Sequence, residues 1–436
     1  DFYLNGHIDA VKSENKGRLT GFGTSPEGVE NNEILYELIS AAAWSDSRID
    51  LDSFLESYNR ARYGVSDPAF TEFWNELRQS VYDNFTNNAR FLWQQRPAYH
   101  RGETMNINQH YFDGIEAFLS VADSYKDNEL YVTDAVQYAA LYIAAKADYA
   151  LKAANWAIVA DDLEKARELK EQLNQMLLDM DRLLESHPIL RIQRWFDMAD
   201  KVATSEKEAA DFKKEIKRLV STWSGPSLKD YSARVWSGLV RDYYAPRMDY
   251  YFEKAIAGEF ADMVASDNTF HYGTGYGTAD DVCPAGENII SAVEPFAEPL
   301  AAACELVAKY SAVDYADKSF NPYAPEKEVA YWCPQDFDGK NKKRLYMTIM
   351  ATDFAKMNGL KITNARGENV KISKVEFKSG PQWFGTLNLN EKIRNPRQVV
   401  TIPFKGPGTT AGLEREVVVY VTIEGGPQSW GMISLY

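Results

Sequence analysis

The chain has 436 residues, 45% of them hydrophobic, enough for two or three domains of roughly 100–200 residues with ordinary apolar cores. Lys plus Arg number 48 against 63 Asp plus Glu, a formal charge of -15, and no basic cluster that would overcome this field is read from the sequence. A nucleic-acid or anionic-membrane partner is therefore not expected, because the net field opposes it. Tyr (26) and Trp (10) are abundant, and both join an apolar ring face to a polar edge, a combination that suits sugars. The three cysteines, at 283, 304 and 333, have spacings that fit neither a disulfide framework nor a zinc site.

The chain opens at Asp1 without initiator Met, basic n-region or apolar h-region, and reads as a fragment or processed chain. Residues 17–44, GRLTGFGTSPEGVENNEILYELISAAAW, read as one strand-loop-helix unit: a Gly-bounded apolar run, then Ser25-Pro26-Glu27 as a helix start. Such a unit cannot bury its own faces, so residues 1–46 are expected to be the end of an α/β domain whose remainder lies upstream. From 47 to 262 the pattern is helical. The apolar stretch Tyr138 to Ala160 is interrupted by Lys146, Asp148 and Lys152 and is too broken for a membrane span.

After Asp161-Asp162, apolar residues at Leu163, Ala166, Leu169, Leu173, Met176, Leu177, Met180 and Leu184 form one stripe, which stops at Ser186-His187-Pro188. Ser205 with Glu208 forms a capping-box pattern, and Phe212, Ile216, Leu219 and Trp223 continue it to Gly225-Pro226. Such stripes predict a helical bundle. Residues 263–327 read as an irregular connection with a helical stretch near Ile290 to Tyr310. From 328 to 436 the period changes to alternation, with RLYMTIMAT, NVKISKVEF, FGTLNLN, QVVTIPF and EVVVYVTIEG predicting five to seven antiparallel strands in a small β-sandwich. The fold class is thus mixed, mainly α.

Nothing in the sequence asks for a metal or cofactor. The five histidines contain no HExxH pair; HYGTGYGT at 271–278 and KGPGTTAG at 405–412 lack the spacing of nucleotide-binding loops and read as turns. The carboxylates of the first segment say more. Glu27 sits at the first helical turn, where the dipole and free N–H groups favour its ionised form. It can be a nucleophile or simply a complement to the helix terminus, and Glu30 and Glu33 carry the same ambiguity.

Residues 17–44, RARYGV at 60–65, LRQSVYDN at 77–84, Arg96-Pro97, and STWSGPSLKDYSARVWSGLVRDYYAPR at 221–247 together resemble the alpha-N-acetylglucosaminidases of glycoside hydrolase family 89. The matches keep one order over residues 10 to about 260, and none falls in 263–436. The resemblance implies a retaining exo-glycosidase that removes terminal α-linked N-acetylglucosamine, built as a (β/α)8 barrel followed by a helical domain. Residues 1–46 would then be the last strand-loop-helix unit of the barrel. Glu27 matches the family nucleophile. The acid/base Glu would come from an earlier strand, Glu30 and Glu33 being poorly placed to replace it. The expectation is therefore that this chain alone is inactive and needs the upstream barrel portion, as the same or a separate polypeptide.

The resemblance also places Trp223, Leu228 and Tyr231 at the sugar pocket, with Leu228 in a turn one residue shorter than the family pattern. Asn88 falls where relatives carry a pocket His; it could hydrogen-bond a hydroxyl but could not titrate near neutral pH. Without the resemblance, Trp223 reads as the end of the core stripe begun by Phe212. Trp332, Trp383 and Trp430 read as core of the β region rather than as a glycan surface. Asn84-Phe85-Thr86 is a lone glycosylation sequon. The implied location is secreted or periplasmic, or lysosomal in a eukaryote, with the added β region favouring a bacterial member. A non-catalytic glycan-binding protein with the same helical and β architecture, or a scaffold, is the alternative.

Overall fold

The computed structural model describes residues 2–21, 23, 33–82, 90–95, 105–221, 223, 231–257, 289, 293–323, 328–332, 337, 340–366, 368–393, 398–426 and 429–436. Its contacts divide the chain into two units, Asp1–Phe85 with Asn106–Tyr138, and Thr86–Met105 with Ala139–Tyr436.

The first unit is helical: α1 (Phe2–Lys12), α2 (Glu33–Trp44), α3 (Leu51–Tyr63), α4 (Pro68–Arg78), α5 (Gln109–Leu119), α6 (Ala122–Tyr125) and the start of α7 (Glu129–Val159). Asp50, Asp67 and Asn108 each cap a helix by accepting a backbone N–H two or three residues on, satisfying donors a helix start leaves free. Gly64, at φ +84°, closes α3 in the left-handed conformation. The core is aromatic. Tyr63, Phe70, Phe73, Phe118 and Tyr131 are buried together, with Phe118 stacked on Tyr131 at 4.8 Å. At its edge the buried Asp134 accepts from the Tyr63 hydroxyl at 2.6 Å and from the Arg62 guanidinium.

The strand expected within residues 17–23 is not found there: residues 17–21 and 23 form turn and irregular backbone. A barrel strand exists only through its ladder to neighbouring strands, and among the described residues no strand lies in this unit. Glu33 opens α2, as a helix leaving this loop would require.

In the second unit, α7 continues and is followed by α8 (Leu163–Leu184), α9 (Gln193–Val202), α10 (Glu206–Leu219), a π turn at Val240–Tyr244, α11 (Ala245–Ala257) and α12 (Pro299–Ser311). The polar residues that break the apolar run of α7 are inside with partners. Lys146 is 4% exposed, and its Nζ donates to the carbonyls of Ser311 and Val313 at 3.1 and 2.9 Å, a cation at the carboxyl end of α12. Asp148 accepts the N–H of Trp93. The run is a buried bundle helix, and no described helix is long and apolar enough to cross a membrane.

Along α8 the stripe from Ala166 to Leu184 is buried, and Asp162 caps the helix by accepting from the N–H of Lys165. In α10 the outcome differs. Ser205 caps it, while Glu208 reaches back to Thr204 rather than to Ser205. None of its residues is buried, Phe212 and Leu219 are exposed, and the helix ends at Leu219. Trp223 therefore lies beyond α10 and does not continue a core stripe.

The β region holds β1 (Glu328–Trp332), β2 (Lys342–Met350), α13 (Ala351–Lys356), β3 (Gly359–Arg366), β4 (Val370–Ser379), β5 (Gln382–Ile393), β6 (Gln398–Pro403), β7 (Glu416–Glu424) and β8 (Trp430–Leu435). That makes eight strands among the described residues, against the five to seven expected. The runs overlooked are β1, β3 and β8, which are short or lack clean alternation. Two four-stranded antiparallel sheets, ordered β1-β8-β3-β6 and β2-β7-β4-β5, share one core. Trp332, Ile362 and Ile433 come from the first sheet, Ile349, Phe377 and Val419 from the second. The KGPGTTAG segment is a turn-rich connection from β6 to β7, as expected.

Trp332 reaches this core across Gly431. A Cβ at Gly431 would lie 2.1 Å from the indole ring and 2.3 Å from the carbonyl oxygen of Thr363, which is backbone and cannot yield cheaply. Gly431→Ala is therefore expected to lower stability by about 1–3 kcal/mol through overpacking. The checks are a reduced urea midpoint and a changed near-ultraviolet signal from the displaced Trp332.

Candidate functional site

Of the residues singled out by sequence, Trp223 and Tyr231 can be placed. Glu27, Asn88 and Leu228 lie outside the described residues, as do Glu30 and the HYGTGYGT segment. After α10 the chain passes through Val220 and Ser221 to Trp223, whose N–H donates to the carbonyl of Arg218 at 2.7 Å. Trp223 takes φ +56°, a left-handed conformation that costs a residue with a Cβ roughly 1–2 kcal/mol. That turn directs its ring to Tyr231, with centroids 5.2 Å apart and planes at 58°. Both side chains are part-buried. The Tyr231 carbonyl accepts from the Arg90 guanidinium at 3.0 Å, which ties the pair to the segment before Trp93.

The segment leaving Tyr231 is held by α8. Ser237 exchanges backbone hydrogen bonds with Leu190 and Ile192, and Trp236 stacks on Trp195. Gly238, at φ +83°, then turns the chain into the next helix. Asp181 Oδ1 accepts the N–H groups of Gly238 and Arg241 at 2.7 and 3.0 Å, and Glu185 accepts the Ser237 hydroxyl at 2.6 Å. Asp181 thus caps the incoming helix from outside it, while Glu185, one helical turn on, holds the hydroxyl just before it. The first turn of that helix is a π turn, a one-residue expansion that redirects the chain.

Asp181 is 1% exposed. Burial pushes its carboxyl up to about 6, with Arg241 and the two backbone N–H groups acting against the shift. The sequence reading overlooked this role, although the signal was present: Asp181 and Glu185 fall on or beside the buried stripe of α8, where an acidic residue needs a partner.

Trp223 offers a ring face and Tyr231 a hydroxyl edge. Neither is a plausible nucleophile or carboxylic acid for glycosyl transfer, so the pair is suited to binding and orienting rather than to bond cleavage. Among the described residues no group of three or more His, Cys, Asp or Glu could hold a metal. A separate cleft of about 770 Å³ between α3 and α4 is lined by Asp52, Glu56, Asn59 and Glu76. Of its carboxylates, Asp52 and Glu56 pair with Arg78 and Arg60, and Glu76 meets the imidazole of His110.

The model of the alpha-N-acetylglucosaminidase (NAGLU) C-terminal domain family matches residues 54–272, a span containing α8, Trp223 and Tyr231. The alpha-N-acetylglucosaminidase of Homo sapiens is 27% identical over 263 residues, covering 58% of this chain and 35% of that protein. The chain thus spans about a third of the length of this curated relative. Among solved structures, a family 89 glycoside hydrolase from Clostridium perfringens in complex with PUGNAc matches with a TM-score of 0.58 at 20% identity, over 71% of this chain and 38% of that one. The Clostridium perfringens enzyme in complex with its substrate GlcNAc-alpha-1,4-galactose matches with a TM-score of 0.57 at 20% identity, over 73% and 38%. At such identity these likenesses speak for the fold.

Capping by Asp181 gives stability a pH dependence of definite sign. Unfolded, the carboxyl titrates near its ordinary 3.8; folded, it titrates near 6. Between these values the folded chain holds a proton that the unfolded chain has released, so stability falls as pH rises from about 4 to about 6 and then levels. The loss has an upper bound on the order of 3 kcal/mol. Asp181→Asn keeps one oxygen for both N–H groups and removes the titration. Urea midpoints at pH 4.5 and 6.5 are expected to fall in the unaltered protein and to differ less in the variant.

Proposed function

Because the chain belongs to the family of the alpha-N-acetylglucosaminidase C-terminal domain, we propose that it is the C-terminal portion of a retaining exo-alpha-N-acetylglucosaminidase that hydrolyses terminal α-linked N-acetylglucosamine from glycans. The observation that carries this reading is the family match over residues 54–272, within which Trp223 and Tyr231 form a part-buried aromatic pair. In this reading Glu27 attacks the anomeric carbon and forms a glycosyl-enzyme. A carboxylic acid from the upstream barrel, about 5–5.5 Å away, protonates the leaving oxygen and then activates water. Trp223 packs against the apolar face of the sugar and Tyr231 hydrogen-bonds a hydroxyl, while Leu228 and Asn88 complete the pocket.

The proposed chemistry divides between carboxylates and binding groups, and the two parts separate in kinetics. In a polypeptide that contains this chain together with the upstream barrel, Glu27→Gln is expected to reduce hydrolysis of p-nitrophenyl α-N-acetylglucosaminide by several orders of magnitude. Trp223→Ala is expected to lower kcat/KM by about tenfold or more, largely through KM. Proton NMR of the first sugar released should show the α anomer, since two displacements at one carbon retain configuration. Unchanged hydrolysis in the Glu27→Gln variant would sink the assignment of the nucleophile. Absence of hydrolysis alongside measurable glycan binding would favour the non-catalytic binding protein.

A further inference from the structure

The outer face of the sheet β2-β7-β4-β5 carries aromatic rings where a sheet packed on one side ordinarily carries polar groups. Tyr346 on β2 and Tyr420 on β7 are register partners with ring centroids 6.3 Å apart, and Trp383 on β5 lies 5.3 Å from Tyr420. Tyr346 is 72% exposed and Trp383 50%. Of the three tryptophans expected in the β core, Trp332 lies in it, Trp430 is buried outside that cluster, and Trp383 is exposed. Its place at the end of β5, opposite Lys378, puts it on the solvent side.

The charge around these rings runs against that of the molecule. The Arg344 guanidinium lies 4.0 Å from the Tyr420 centroid and 5.3 Å from that of Trp383, and the Lys378 ammonium lies 5.6 Å from the latter. Lys342, Lys371 and Lys374 share the face, as their ion pairs with Glu424 and Glu376 show. Five cations thus surround two carboxylates, both held below their ordinary range chiefly by Lys342 and Lys374. A surface this cationic, in a chain of formal charge -15, attracts anions locally.

We propose that this face binds an acidic polysaccharide, a chain of sugars bearing carboxylate or sulfate groups. Pyranose rings present C–H faces that lie against Trp383 and Tyr346, and their anionic substituents meet Lys374, Lys378 and Arg344. Val418 and Met350 share this face, but the lysines set among the rings disfavour a protein interface, whose centre is depleted of Lys. Glu376 and Glu424 are each engaged by basic side chains, so the surface is suited to holding a chain rather than cutting it. The choice of a saccharide among polyanions rests on the glycosidase reading.

The test is affinity electrophoresis of the full chain at pH 8 in gels containing polygalacturonate, dextran sulfate or unmodified dextran. Retardation is expected with either acidic polymer and not with dextran, weakening as salt rises from about 50 to 300 mM. Trp383→Ala and Lys378→Ala are each expected to weaken retention about tenfold with an unchanged urea midpoint; Tyr346→Ala serves as a second exposed-ring variant should either fail to fold. The proposal is overturned by equal retardation in dextran, by full retention in Trp383→Ala and Tyr346→Ala, by equal retardation with a single-stranded oligonucleotide, or by a dimer in light scattering that Trp383→Ala dissolves. Retention without turnover of the p-nitrophenyl substrate by the barrel-containing polypeptide counts against the hydrolytic reading and leaves this one standing. Turnover without retention does the reverse.

Discussion

The buried carboxylate of Asp181 is the constraint on which the helical part of the second unit turns. It sits on the inner stripe of α8, where an anion is costly, and is kept there by accepting two backbone N–H groups from the start of the next helix. Glu185 takes the neighbouring hydroxyl. Together they dock the segment that leaves Tyr231 against α8, so the direction of the chain around the aromatic pair is set by a polar contact inside an apolar bundle. Trp223 meets Tyr231 after a left-handed backbone turn. A buried anion and a left-handed tryptophan are thus two separate local costs, one at the start of the π turn and one at the end of α10.

The β region solves a different problem with the same residue types. Its two sheets bury one face each, and the indole of Trp332 fills the space that Gly431 leaves open. Trp383, Tyr346 and Tyr420 face outward among cations. Identical side chains therefore serve as core or as surface according to strand parity and register, because successive residues point to opposite sides of a sheet.

Much of the fold was legible in the sequence because it rests on local rules. The α8 stripe, its Asp162 cap, the Ser205 start of α10 and the alternation of β2, β4 and β7 are short-range patterns whose physics acts within a few residues. The departures also have local causes. The apolar run at 17–23 has the composition of a strand, yet a strand is defined by partners elsewhere. Phe212 and Leu219 have helical spacing, but spacing alone does not supply a neighbouring surface to bury them. Of the proposed site, Trp223 and Tyr231 were readable through a family resemblance that residues 54–272 bear out as membership. Their supports, Arg90, Asp181 and Glu185, are far off in the chain.

The sequence by itself determined the class of the chain, the helical stripes, the change of period near residue 328 and the family, since each is written in neighbouring residues. Only the tertiary structure decided that Asp181 caps a helix beginning more than fifty residues later, that Trp223 turns out of α10 to meet Tyr231, and that a chain of formal charge -15 carries a basic aromatic face. Lys342 stands on β2 and Lys371 and Lys378 on β4, with β7 between the two strands, and hydrogen-bond register brings them to one side. Charge and ring clusters of this kind are properties of pairing, and pairing is decided by contacts that sequence distance conceals.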